Sequence, residues 1–271
     1  MAFTHLHLHT EFSLLDGACR INKLMDHLNE IGQKSVAITD LGVMYGVIDF
    51  YKAAKEKGIK PIIGCECYVA ERTRHNKVHG LDSQRFHLVL LCKDNQGYQN
   101  LIAMVSKAWT EGFYTKPRID RELLEEHHEG LIALSGCLAG EIPQLLMRGE
   151  YDKAKETAEW YRDLFGEGNY YIEIQNHGLR EQLDIMPDLV RLSKETGVPL
   201  VATNDAHYIK KEDWEAQDVL LCIQTKKTLA DPKRMRFETQ EFYMKSGDEM
   251  AQLFHYVPDA IANTRVIANK I

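Results

Sequence analysis

The sequence contains no apolar run approaching the roughly 18 to 20 residues that cross a bilayer, and its opening MAFTHLHLHT has neither the basic region nor the apolar core of a secretion signal. A cytoplasmic address with no membrane partner is expected. Cationic excess is also missing. Lys and Arg number 33 against 40 Asp and Glu, a formal charge of −7, so a general nucleic-acid coat is excluded and any such contact must use a local patch or bound cations. The six cysteines (Cys19, Cys65, Cys67, Cys92, Cys137, Cys222) lack paired spacing. Cys65 and Cys67 lie too close for a zinc knuckle, and four of the six sit in or beside apolar runs, as reduced core thiols do. With 7 Pro, 18 Gly, 44% apolar and 27% charged residues in 271, disorder and low complexity are excluded too.

What is present is an alternation of short β-branched runs with longer segments of helical period. Seven strands are predicted: Phe3 to His9, Ser35 to Thr39, Pro61 to Val69, Phe86 to Cys92, Leu131 to Ser135, Tyr170 to Gln175 and Leu200 to Thr203. Helices are predicted over Ile21 to Ile31, Met44 to Lys57, Tyr98 to Trp109, Tyr151 to Phe165 and Leu183 to Glu195. Parallel strands joined by helical crossovers are the simplest arrangement. Beyond residue 207 the pattern changes to helices over Asp213 to Ile223, Asp248 to His255 and Pro258 to Ile271, around a basic loop from Lys226 to Arg236. The last helix runs on without a closing cap, which reads as a chain cut from a longer one.

The chemistry concentrates in His7 and His9, which alternate on a strand and so share a face that can grip one metal ion. His5 would share that face. Other metal-competent residues also fall at strand ends: Asp16, Asp40, Glu66 within its strand, His87, Cys137, Asp205 and His207. In a parallel βα barrel the carboxyl ends of the strands form one rim, so these residues converge. A mixed His, carboxylate and Cys set suits Zn²⁺, Mn²⁺ or Fe²⁺. A carboxylate such as Glu66 can bridge two ions, making phosphate-ester hydrolysis the natural chemistry. Cys137 in SGCLAG reads equally well as part of a small-residue turn. His75, His79, His127, His128 and His255 are simplest as solvated groups. Arg72, Arg74, His75, Lys77, His79 and Arg85 surround a long loop, and Lys116, Arg118, Lys226, Lys227, Lys233, Arg234 and Arg236 form further basic groups; both sets fit phosphate contacts or plain solvation.

HLHT at 7–10 with EFSLLDGA after it, AITD at 37–40, GVMYG at 42–46, KPIIGCE at 60–66, FHLVLL at 86–91, GLIALSGCLAGEIP at 130–143 and ATNDAHY at 202–208 resemble the polymerase and histidinol phosphatase (PHP) family. YQNL at 98–101, KPRID at 116–120, DPKRMRF at 231–237 and the EFYMKS after it narrow the resemblance to the branch at the start of bacterial replicative polymerase III alpha subunits. The resemblance implies an α/β, TIM-like, distorted seven-stranded barrel. It covers 1–271 as a single PHP domain, with a barrel core of about 1–207 and a helical extension of about 208–271. It implies two to three divalent ions: the first on His7, His9, Glu66 and Asp205, the second on Glu66, His87 and Cys137, the third on Asp16, His207 and a histidine after the TD motif. Here Leu41 stands at that last position, so the third site is expected to be weak or empty. The resemblance makes Asp16, Glu66 and Asp205 the candidate catalytic groups. It also implies 3′ to 5′ hydrolysis of DNA at a single-stranded 3′ end, with the rest of the polymerase alpha subunit and the separate proofreading subunit as partners. A free-standing small-molecule phosphatase and a non-catalytic scaffold stand as alternatives.

Overall fold

In the computed structural model, which describes residues 2–271, the apolar strand segments collect into one sheet. The strands are β1 (Ser35–Ile38), β2 (Lys60–Ala70), β3 (Arg85–Cys92), β4 (Arg118–Ile119), β5 (Leu131–Leu134), β6 (Tyr170–Ile174) and β7 (Leu200–Ala202). Around them lie α1 (Ile21–Glu30), α2 (Val47–Glu56), α3 (Asn95–Thr110), α4 (Arg121–His127), α5 (Glu141–Met147), α6 (Tyr151–Phe165) and α7 (Arg180–Thr196). Short polar residues start two of these helices: Asp94 accepts from the Gly97 amide before α3, and Asp120 from the Leu123 amide before α4.

Strand order is β1-β2-β3-β5-β6-β7, with β4 beside β2. The β1–β2, β5–β6 and β6–β7 pairs are parallel, but β3 runs antiparallel to both β2 and β5. The expectation of parallel strands throughout is therefore corrected at β3. The physical reason lies in the 71–84 connection, which carries no helix and so lacks the crossover that a parallel return needs.

The N-terminal segment closes the curl. The Ala37 amide donates to His5 O and the Thr39 amide to Leu8 O, while on the other side the His9 amide donates to Ala206 O and the Ala206 amide to His7 O. Residues 5–9 thus lie between β1 and the end of β7, joined by bridges rather than as the continuous strand predicted from Phe3 to His9. A bend at His7 shifts the side-chain phase. Leu6 packs in the barrel interior with Ala37, Ile62, Val89, Leu134 and Val201, whereas His5 faces away and donates from Nε2 to the Lys245 carbonyl. His5 does not share the face of His7 and His9, a second correction to strict alternation.

The C-terminal stretch contributes α8 (Trp214–Thr225), α9 (Gly247–Leu253) and α10 (Pro258–Lys270). The last of these plugs the base of the barrel, with Ile267 and Ala268 joining the interior cluster. Thr264 Oγ1 accepts from the Thr4 amide, and Asn263 Nδ2 donates to Leu200 O. The opposite end of the barrel is left open. Among the described residues no helix is long and apolar enough to cross a membrane.

Candidate metal centre

At the open end, inward-facing positions turn from apolar to chelating. On β2 the inward series is Ile62, Gly64, Glu66, and on β3 it is Leu91, Val89, His87. Because β3 is antiparallel, its amino end reaches the rim formed by the carboxyl ends of the parallel strands. His87, which opens its strand, therefore meets residues that close theirs.

Four buried donor atoms converge there. His7 Nε2 lies 3.1 Å from Glu66 Oε2 and 3.3 Å from Asp205 Oδ1. His9 Nε2 lies 3.0 Å from each of the same two atoms. Asp205 reaches this position with its backbone at φ +43°, in the left-handed region a non-glycine residue seldom adopts. The second oxygen of Glu66 serves a second group: Oε1 is 2.8 Å from His87 Nδ1 and 3.8 Å from Cys137 Sγ, and Cys137 Sγ is 3.7 Å from His87 Nδ1. The turn presenting Cys137 depends on Gly136 at φ +85°, where a Cβ would stand 2.6 Å from His87 O. Both groups, His7–His9–Glu66–Asp205 and Glu66–His87–Cys137, have the composition and closeness that could hold a metal ion, and they share Glu66.

The electrostatics fit a cation. Burial disfavours charge on His7 and His9, yet the surrounding carboxylates outweigh it, pushing His7 well above the ordinary imidazole value and His9 to about 10. Burial likewise works against charge on Glu66 and Asp205, and the facing imidazoles overcome it and hold both below the usual carboxylate range. The Cys137 thiol is pushed well up by burial and by the charges of Glu66 and Asp205. His7 Nε2, His9 Nε2 and Asp205 Oδ1 remain buried with no hydrogen-bond partner among the described residues, an orphaning that a cation at their centre would remove.

The groups behind the donors fix their orientation. His7 Nδ1 donates to Glu173 Oε1 at 2.6 Å, which leaves Nε2 facing inward. Glu173 also accepts from the Gly136 amide, Gln175 Nε2 and Thr203 Oγ1, so one buried carboxylate braces both His7 and the turn before Cys137. His9 Nδ1 lies 3.1 Å from Ser13 Oγ, whose hydroxyl donates to Asp40 Oδ1 at 2.7 Å. Asp40 accepts from the Thr10 amide and hydroxyl as well. It stands behind His9 and braces it. Glu173 was missed in the sequence, although a lone carboxylate in YYIEI at an inward-phase position was the available signal.

The third position is different. His207 Nδ1 donates to Asp205 O and its Nε2 lies 3.6 Å from Asp16 Oδ1. Leu41, paired by a bridge to Glu66, lines the same cavity of about 440 Å³ as Asp16, Glu66, His87, Asp205 and His207. Its side chain offers no lone pair. All eight predicted donors thus gather at one end of the barrel, seven of them in the two groups or directly against Asp205.

The basic residues divide. Arg72 pairs with Asp82, Arg74 with Glu111, Asp120 and Glu122, and Arg234 with Asp218, while Arg118 is buried and donates to the carbonyls of Gly112, Arg74 and Asn76. All four are thus engaged by partners within the protein, Arg74, Arg118 and Arg234 while largely buried. Arg236 lines the cavity onto which the donor groups open.

The PHP domain family matches residues 5–177; this chain belongs to that family. Its whole length is 49% identical over 271 residues to the DNA polymerase III subunit alpha of Treponema pallidum, and 254 residues are 49% identical to that of Thermus aquaticus. The matches cover 100% and 92% of this chain but 23% and 21% of those proteins. The chain thus spans less than a quarter of the length of these relatives and corresponds to their PHP domain. A solved amidohydrolase from Chromobacterium violaceum, with bound sulfate and no metal, superposes with a TM-score of 0.46 at 16% identity over 76% of this chain and 88% of that one.

Proposed function

We propose that this chain is the metal-dependent phosphoesterase module of a bacterial replicative polymerase alpha subunit, hydrolysing DNA phosphodiesters from a single-stranded 3′ end in the cytoplasm. The observation that carries this reading is Glu66, whose two oxygens serve two donor groups opening on one cavity. His7, His9, Glu66 and Asp205 would hold one divalent ion, zinc, manganese or iron, and Glu66, His87 and Cys137 a second. Ions held there would neutralise a phosphodiester's charge and lower the pKa of water. Glu173 and the Ser13–Asp40 pair keep the Nε2 atoms of His7 and His9 inward. Asp16 and His207, short of a third donor at Leu41, would bind a further ion weakly. Polymerisation, the remainder of the alpha subunit and the separate proofreading subunit lie outside these residues as partners in the longer protein.

A non-catalytic scaffold is the second reading, and Leu41 is the observation favouring it. Incubation of the chain, Leu41→His and His9→Ala with a 3′-labelled single-stranded oligonucleotide and Mn²⁺ or Zn²⁺ separates the two. The nuclease reading expects Leu41→His to cleave faster than the parent and His9→Ala to be inert. Equal inertness of all three with metal demonstrably bound would leave the scaffold.

A further inference from the structure

A second cavity, of about 340 Å³, adjoins the metal cavity and shares Asp16 and Leu41 with it. Its walls are aromatic. Trp109 and Phe113 stack with ring centroids 5.5 Å apart and planes at 22°, and the Trp109 indole is locked by donation from Nε1 to Gly42 O at 2.9 Å. Tyr45, Trp109 and Phe113 are 60%, 40% and 45% exposed, a cluster of accessible rings beside the cavity onto which the donor groups open. Tyr68, on the same wall, packs T-shaped against the His87 ring, with ring centroids 5.1 Å apart. Its own ring lies 5.6 Å from Lys116 Nζ and 5.7 Å from Arg85 Cζ. Arg85 Nε is buried with no hydrogen-bond partner among the described residues.

From this juxtaposition we infer that the Trp109–Phe113–Tyr45 cavity is a nucleobase-stacking subsite for single-stranded nucleic acid leading to the metal cavity. The inference rests on the phosphodiester reading above and names how the strand is held. Three features select this occupant. Preformed rings with open faces suit bases of any identity, because every base has a π-face. Lys116 and Arg85 beside Tyr68 supply positive charge where the intervening phosphates would pass, on a chain otherwise acidic. Asp16 and Leu41 line both cavities, so the aromatic cavity lies directly beside the one onto which the donor groups open, where a strand stacked in the first would present a phosphodiester.

The test uses the full chain with Mn²⁺ and a fluorescein-labelled, nuclease-resistant phosphorothioate octamer of deoxythymidine. Trp109→Ala is expected to weaken octamer binding about tenfold, the loss of one stacked base, and Trp109→Phe, which keeps a ring and the fold, to restore most of it. An abasic residue walked along the octamer should weaken binding to the parent at one position and cost little there against Trp109→Ala. If Trp109→Ala binds as tightly as the parent, or the abasic penalty is the same in both, the subsite is overturned and the aromatic face is left for a protein surface. Hydrolysis of bis(p-nitrophenyl) phosphate by the parent keeps the two levels apart. A parent active on the ester but insensitive to Trp109→Ala in binding overturns the subsite alone, while a parent that neither hydrolyses the ester nor binds the octamer overturns the phosphodiester reading as well.

Discussion

Two corners of one barrel rim carry nearly the same residue types and differ in how they are furnished. At the first, His7, His9, Glu66 and Asp205 bring four donor atoms together with contacts of 3.0 to 3.3 Å, and Glu173 and the Ser13–Asp40 pair brace the imidazoles from behind. At the second, Asp16 and His207 stand 3.6 Å apart beside an apolar Leu41. The electrostatics follow the same division. His9 is driven up to about 10 despite burial, by Asp205 and Glu66, whereas burial and the neighbouring His9 push His207 down. The first corner thus has four lone-pair donors in a braced orientation, whereas the second has two beside an apolar side chain, and Leu41 leaves the contacts of Glu66 intact.

Glu66→Gln should break the contrast most severely, because both groups lose the carboxylate they share. Phosphodiester hydrolysis is expected to fall on the order of 10³-fold, with metal content dropping at both positions. Retention of both ions would disprove the bridging role.

The buried histidines sharpen the contrast through pH. His5 and His177, outside the donor groups, are fully buried and each depressed to about 4 by that burial. The unfolded chain takes up protons at these residues from about pH 6.5 downward while the native chain resists until about 4, so stability falls as pH drops through that window. Each contributes a loss of roughly 3 kcal/mol by pH 4. In the metal-free protein His9 has the opposite sign: its contribution is complete below about pH 6.5 and is lost as pH rises through about 10. Thermal melts of the metal-free chain should decline from pH 6.5 to 4, and less steeply in His5→Gln. An unchanged slope in that variant would argue against a neutral buried His5.

Glu173→Gln is the milder probe. It retains the shape but loses the carboxylate that accepts from His7, and metal affinity is expected to fall roughly 10- to 100-fold. Its signature is a loss reversed by excess metal, read by calorimetric titration; wild-type affinity would remove Glu173 from the account.

Much of this was legible in the sequence because chelating side chains interrupt otherwise apolar strands: Glu66 in KPIIGCE, His87 in FHLVLL, Asp205 and His207 in ATNDAHY. Those interruptions marked candidate donors, while their grouping into sets came from the family resemblance, and Cys137 read equally well as part of a turn. What could not be read depended on direction and phase. Nothing local reveals that β3 runs backward, since its apolar pattern is the same either way, and only the helix-free 71–84 connection hints at it. The bend at His7 that turns His5 outward is likewise a consequence of tertiary closure between β1 and β7. The short β4, α4 and α5 fell below the length at which periodicity speaks. The ion pairs that occupy Arg74 and Arg234 join residues far apart in sequence, so no spacing rule marked them as structural.

The central claim, an intact pair of ions on Glu66 beside a third position disabled by Leu41, is tested most directly by counting ions. The chain and Leu41→His would each be dialysed to equilibrium against Mn²⁺ or Zn²⁺ and the metal per chain measured by elemental analysis. The account predicts two ions in the parent and three in Leu41→His. Fewer than two in the parent, or the same count in both proteins, would contradict it.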